Sequence, residues 1–201
     1  MMLPTHAVIG LAVAAPLVVF YPDLAPAALT GILVGSLGPD LDLYAGHRRT
    51  LHYPTGYALL ALPLAAVAVV VPTTMTVGVT AAIVGAAIHC QLDRFGGGLE
   101  LRPWEGTSDR AVYDHVRGRW RRPKRWVRYD GSPEDLMLLL SIGLPLLVVL
   151  EGPFRAVVAV ALVVGVVYVG LRRRLATVAP VVFGHVPDRL EEYVPERYRT
   201  Q

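Results

Sequence analysis

Charge is scarce in this sequence. Of its 201 residues only 17% are Asp, Glu, Lys or Arg, while 54% are hydrophobic; a soluble domain carries about 25% charge. A chain of this length has too few polar residues to cover a soluble core, and its apolar content excludes disorder. Cysteine is nearly absent. Cys90 stands alone, which rules out an intramolecular disulfide and a structural zinc site built on cysteine pairs. Charge is missing altogether from residues 24–39, 54–88, 136–150 and 156–171, and from 1–22 apart from His6.

What is present is a set of long apolar runs. As a helix rising ~1.5 Å per residue, residues 54–71 reach ~27 Å, close to the ~30 Å thickness of a bilayer's hydrocarbon. The 54–88 run is too long for one span and is interrupted at Val71-Pro72-Thr73-Thr74. The pattern predicts an all-α, polytopic membrane bundle of about six helices, at 4–21, 25–38, 54–71, 74–92, 135–151 and 154–171. Pro16 is expected to kink the first. That first run lacks a basic leading region and a small-residue cleavage site, so it is expected to stay as a span. Ser132 is placed to cap the fifth helix, with Pro133 at its first position and Glu134 and Asp135 in its first turn.

Lys and Arg mark the cytoplasmic side. Arg48 and Arg49 lie in loop 39–53, ten basic residues lie in loop 93–134 and six in 172–201; Arg155 alone falls on the opposite side. The expected arrangement is a multi-pass protein of the cell (inner) membrane with both termini cytoplasmic. It divides into a membrane-embedded unit, 1–176, carrying the basic loop, and a tail, 177–201.

In this arrangement one membrane face collects an unusual set of residues. His6 opens the first helix; Asp40 and Asp42 close the second; His47 and His52 lead into the third. His89 and Asp93 close the fourth, and Glu134 and Asp135 open the fifth. His89 and Asp93, four apart, share a helix face. Imidazole and carboxylate together suit zinc, with iron or manganese as alternatives, and an Asp-x-Asp pair can supply one bridging and one orienting carboxylate. Each piece also has a plainer reading. Asp40 and Asp42 suit a turn and cap, His47 beside two arginines suits phosphate headgroups, and His6 suits a membrane interface. Their convergence favours metal, because ionisable groups at a bilayer are costly unless paired. His115, His185 and Cys90 are expected to play no part.

The ordered motifs Thr5-His6, Gly38-Pro39-Asp40-Leu41-Asp42, Gly46-His47-Arg48 through His52, and His89 through Asp93 resemble those of the membrane-bound metal-dependent hydrolases. These are also described as LexA-binding inner-membrane-associated hydrolases, the YdjM-like family. The resemblance covers roughly residues 4–150. Here Leu51-His52 stands where the family has Thr-His, and Tyr53 where Ser is common. Through that family's distant similarity to zinc-dependent phospholipase C, the resemblance implies one to three divalent ions. Metal positions are implied at Asp40, His52, His89 and Asp93, with His6 an addition and Asp135, or Glu134, a later acidic ligand.

The basic stretch 117–128 has seven Lys/Arg in twelve residues, with Trp120 and Trp126 interleaved. It suits anionic lipid headgroups and carries no recognised nucleic-acid motif. Together these features predict a metal-dependent hydrolase acting on a phosphoester, phospholipid-like, at the cytoplasmic leaflet. Asp40 and Asp93 are the expected catalytic carboxylates, and Arg48 or Arg49 the group that steadies the anion. The alternative is a non-catalytic membrane scaffold or binding protein stabilised by metal.

Overall fold

The structure, a computed structural model, describes residues 1–195 and Tyr198, without the side chains of Asp188 and Glu192. Part of the tail expected at 177–201, namely 196, 197 and 199–201, thus lies outside the described residues. The chain is a mostly helical bundle: α1 Leu3–Ala14, α2 Leu17–Phe20, α3 Ala25–Leu37, α4 Pro54–Val70, α5 Thr74–Phe95, α6 Pro133–Val149 and α7 Gly152–Phe183. Leu3–Phe20, Thr74–Phe95 and Gly152–Phe183 are long and apolar enough to cross a membrane. Large aliphatic side chains on the outer faces, Val69, Val70 and Val148 among them, are about four-fifths exposed. A belt of that kind belongs in lipid.

Pro16 separates α1 from α2, because its ring cannot donate the next helical hydrogen bond; Val18 and Val19 instead bond three residues back, to Ala15 and Pro16. Ser132 caps α6, its hydroxyl accepting from the Asp135 N–H at 3.3 Å. Thr73 caps α5 in a reciprocal box with Thr76.

The tightest helix pair is α3 against α5. A Cβ at Gly31 would collide with the Gly78 carbonyl, and one at Gly35 with the carbonyl of Ala82; Gly85 faces the Ile32 carbonyl just as closely. Small residues four apart let two backbones touch, the usual device where lipid removes the hydrophobic drive between helices. On the other flank α1 packs on α6 and α7, burying Val8, Leu11, Leu139, Val158 and Leu162 in one cluster. Asp135 ties the start of α6 to α1. It accepts from the Met2 N–H (2.7 Å), the Gly131 N–H (3.1 Å) and the Thr5 hydroxyl (2.7 Å).

Two features depart from expectation. The last helix does not end near residue 171 but runs on to Phe183. Arg172, in the extended part of that helix, is buried, with Nε 3.0 Å from Asp130 Oδ2, and the Tyr168 hydroxyl reaches the same carboxylate at 2.5 Å. That pairing ties α7 to the turn before α6. The long loop also contains a two-stranded antiparallel hairpin, β1 Val112–Asp114 with β2 Arg119–Arg121. It turns at Gly118 (φ +62°), and the Asp114 carboxylate accepts from the Val116 and Arg117 N–H groups. Three-residue strands are too short for alternation to betray them.

Replacing Gly35 by Leu should force α3 and α5 apart. A loss of about 3 kcal/mol is expected, equivalent to roughly 6–12 °C in melting temperature for a chain of this size. Thermal unfolding in detergent checks it, and an unchanged midpoint would contradict the backbone contact.

Candidate metal centre

Four side chains converge at the polar end of the bundle: Asp40, His52, His89 and Asp93, whose ligand atoms all lie within 4.8 Å of one another. Asp40 sits on a 3₁₀ turn, Gly38–Tyr44, that continues directly from α3. His52 lies just before Pro54, the first residue of α4. His89 and Asp93 occupy successive turns of α5, on one face. His52, His89 and Asp93 are buried, whereas the Asp40 side chain is 24% exposed, so Asp40 marks the open side.

Each imidazole of the cluster is held by its Nδ1. His52 Nδ1–H donates to Asp42 Oδ2 at 2.9 Å, and His89 Nδ1–H donates to the Ser36 carbonyl at 2.7 Å. With both protons so placed, the two Nε2 lone pairs face each other across 3.2 Å. Two lone pairs at that distance, between two carboxylates, repel unless a proton or a metal cation lies between them. The anchored Nδ1–H is also how metal-ligating histidines are normally oriented. From His52 Nε2 to Asp93 Oδ2 is 3.2 Å and to Asp40 Oδ1 3.6 Å; from His89 Nε2 the same oxygens lie at 3.5 and 3.4 Å. A tetrahedron with bonds of 2.0–2.2 Å has edges of about 3.3–3.6 Å. Asp93 Oδ2, buried with no hydrogen-bond donor, points into it. The residues fit a divalent ion bound by two nitrogens and two oxygens.

Around these four, the other residues expected at the site take distinct places. Asp42 is fully buried behind His52. Besides His52 it accepts from the Leu51 N–H (3.1 Å), the Arg48 N–H (3.2 Å) and His47 Nδ1 (3.2 Å), so the 47–52 loop wraps around one carboxylate. It is an orienting group. His47 also lies 3.8 Å from Asp40 Oδ1 and lines a cavity of about 850 Å³ beside Tyr44, Arg49, Arg110 and Trp120. His6 stacks on His89 with centroids 4.1 Å apart, donates Nδ1–H to the Met2 carbonyl, and leaves a buried Nε2 3.4 Å from Asp93 Oδ1. Arg48, in the left-handed region at φ +59°, turns its guanidinium inward. It reaches Asp93 Oδ1 at 3.3 Å and donates to the Gly97 carbonyl at 2.9 Å. That oxygen also has the Met1 nitrogen at 3.4 Å, so positive charge crowds the side of Asp93 away from the four-residue cluster. Asp135 is not part of the cluster, its oxygens being spent on α1 and the 131 turn; Glu134 pairs with Arg128 at 2.8 Å. His115 meets the Arg49 carbonyl at 2.6 Å, and Cys90 is buried.

Residue-type reasoning missed the Ser36 carbonyl, which is a backbone group, and the Asp114–Arg121 clamp. Arg121 Nε and NH2 meet Asp114 Oδ2 at 2.9 and 2.6 Å while NH2 also reaches Thr55 Oγ1 at 2.7 Å, tying the hairpin to the start of α4. The Gly31/Gly35 spacing was the available signal for Ser36, since it brings that carbonyl onto α5.

The electrostatics outside the spans follow from the pairing. Burial alone would raise the Asp40 carboxyl, but hydrogen bonds with His52 and His89 outweigh it and hold the group well below the usual carboxylate range. Burial alone would lower His52; Asp40, Asp42 and Asp93 instead push it up to about 10. No protein family, curated protein or solved structure matches this chain.

Two outcomes are expected. Asp42→Asn should weaken zinc binding about 10–100-fold, read by competition with a chromogenic chelator. In metal-free protein His52 rises from its ordinary 6.5 to about 10 on folding. The stability this adds is complete below pH 6.5 and is lost as pH rises through 10. The melting temperature of metal-free protein should therefore fall across that window, and that of zinc-loaded protein, with His52 already deprotonated, should fall less.

Proposed function

We propose that this chain is a membrane-bound, metal-dependent hydrolase of the YdjM-like kind, cleaving a phosphoester of phospholipid type at the cytoplasmic leaflet. The observation that carries the reading is the pair of Nε2 atoms and two carboxylate oxygens at tetrahedral spacing, next to a cavity with cationic and apolar walls. Zinc is the first choice, iron or manganese the alternatives. One ion fits best, because Arg48 already occupies the other flank of Asp93. A divalent ion held there would supply Lewis acidity towards a phosphoryl oxygen and a nucleophile at neutral pH.

The chain's own groups supply the rest. Arg49 and Arg110, on the cavity wall, bind the anionic oxygens of the ester. Leu99, Leu101 and Trp120 receive its apolar part. His47 both lines the cavity and adjoins Asp40; with Nδ1–H donating to Asp42, its Nε2 takes a proton from an entering water and returns one to the leaving oxygen. Asp40 faces the open side; Asp93, pinned by Arg48, keeps its second oxygen turned towards His52 and His89. Arg48 is thus a positioning residue. The clustering of Lys and Arg on the site's side supports a cytoplasmic site.

Elemental analysis of detergent-purified protein is the first test. Stoichiometric zinc, iron or manganese is expected, and is expected to be lost in His89→Ala and Asp93→Ala. His47→Gln should keep the metal and lower the hydrolysis of bis(p-nitrophenyl) phosphate, or of phospholipid in mixed micelles, by about 10²–10⁴-fold. Metal without turnover of any phosphoester would leave the scaffold reading, in which the ion only ties α3, α4 and α5 together. No metal after reconstitution would sink both.

A further inference from the structure

Trp120 borders a second, smaller cavity, of about 270 Å³, whose other walls are Arg94, Arg117, Arg119, Arg121 and Arg122. Five arginines lining so small a space concentrate positive charge there, which is unfavourable unless anions neutralise it, and the protein supplies few. Asp114 is taken up by Arg121, with Arg117 Nε a further 3.8 Å from the same oxygen. Arg122 meets Asp109 at 3.2 Å, but both side chains are mostly exposed and such a pair contributes little. Arg119 stands opposite Asp114 in the hairpin register, facing a carboxylate already engaged, and has no carboxylate partner of its own among the described residues. Arg94, in the last turn of α5, has a buried Nε with no hydrogen-bond partner.

We infer that this arginine cavity is a binding site for a phosphate group, separate from the metal centre. Guanidinium forks match phosphate oxygens two at a time, and arginines drawn from both α5 and the hairpin suit a multiply charged tetrahedral anion better than a carboxylate. The cavity is smaller than the ~300–1,000 Å³ of drug-sized sites, so it admits a phosphate and its immediate substituent only. Its position at the polar end of α5, near the exposed Trp126 and the Lys124 ammonium 5.3 Å from that ring, suits an anionic lipid headgroup. Free phosphate carries the same chemistry.

The test uses the full chain in detergent and in nanodiscs. Inorganic phosphate, added at constant ionic strength against chloride, is expected to raise the melting temperature saturably and to do so equally in zinc-free protein. The double variant Arg119→Gln/Arg122→Gln should bind phosphate at least about tenfold more weakly while keeping its metal content. In the parent, phosphate should protect Arg119 and Arg94 from phenylglyoxal modification, read by mass spectrometry, which needs no variant to fold. Nanodiscs containing phosphatidic acid, compared with phosphatidylcholine alone, make the second arm. Protection by phosphate and lipid alike, or by phosphatidic acid alone, supports the site and names its source as either or as headgroup only. Protection by neither overturns it, as does phosphate binding that is unchanged in the double variant or vanishes with the zinc. Failure of the hydrolase reading would show only in metal content and turnover, neither of which this test reads.

Discussion

Asp93 is the group on which the rest depends. A carboxylate buried at the end of an apolar bundle is tolerated only if each oxygen has a positive partner, and the two oxygens of Asp93 are satisfied differently. Oδ1 faces the Arg48 guanidinium and His6; Oδ2 faces His52 and His89 and has no donor. The first oxygen is neutralised by Arg48, and the second faces two imidazoles in a cluster that could hold a cation. Placing Arg48 there requires its left-handed backbone, which costs about 1–2 kcal/mol. That conformation is offset by bonds from the same residue to Asp42, Gly97 and the Tyr113 N–H. The loop, the glycine turn at 96–98 and the hairpin are therefore organised around one negative charge.

The helix spacing follows from the same requirement. His89 can point its Nε2 at His52 only if its Nδ1–H has an acceptor behind it, and that acceptor is the carbonyl of Ser36 on the neighbouring helix. The 2.7 Å bond needs α3 and α5 in backbone contact, which Gly31, Gly35, Gly78 and Gly85 permit. A larger residue in this seam would act on the site without touching it. Small residues deep in the bundle and imidazoles at its end belong to one mechanical unit.

How much of this was legible in the sequence depends on the range of each interaction. Helices α4 and α5 were readable because a run of 35 uncharged residues, 54–88, interrupted by a Pro-Thr-Thr turn has few other solutions. The cluster residues were readable by type and order. Roles set by distant or backbone partners were not. Asp42 and Asp40 look alike in Asp-x-Asp, yet one faces the cluster and the other collects the Nδ1–H of His52 and two loop N–H groups. Asp135 looks like a further ligand until its partners, Met2, Thr5 and Gly131, are known. Arg172 is one of six basic residues in 172–201, and nothing near it in the sequence marks Asp130, 42 residues earlier, as its partner.

The placement of the cluster bears on mechanism. Irregular backbone is expensive in hydrocarbon and is tolerated only where protein or water covers it. Here the irregular segments, the 3₁₀ turn at 38–44 and the loop to residue 53, lie at the end of the bundle and are covered by the hairpin through the Arg48 carbonyl and Arg121. A transporter would instead break its helices near the bilayer midplane to bring ligands there. In this chain α3, α4 and α5 run unbroken between the turns, and the ligands are gathered where they end. Asp40 is the partly exposed member of the cluster, and His47, 3.8 Å from it, lines the neighbouring cavity. That arrangement suits a site that meets its substrate at the membrane surface and returns the product to the same side.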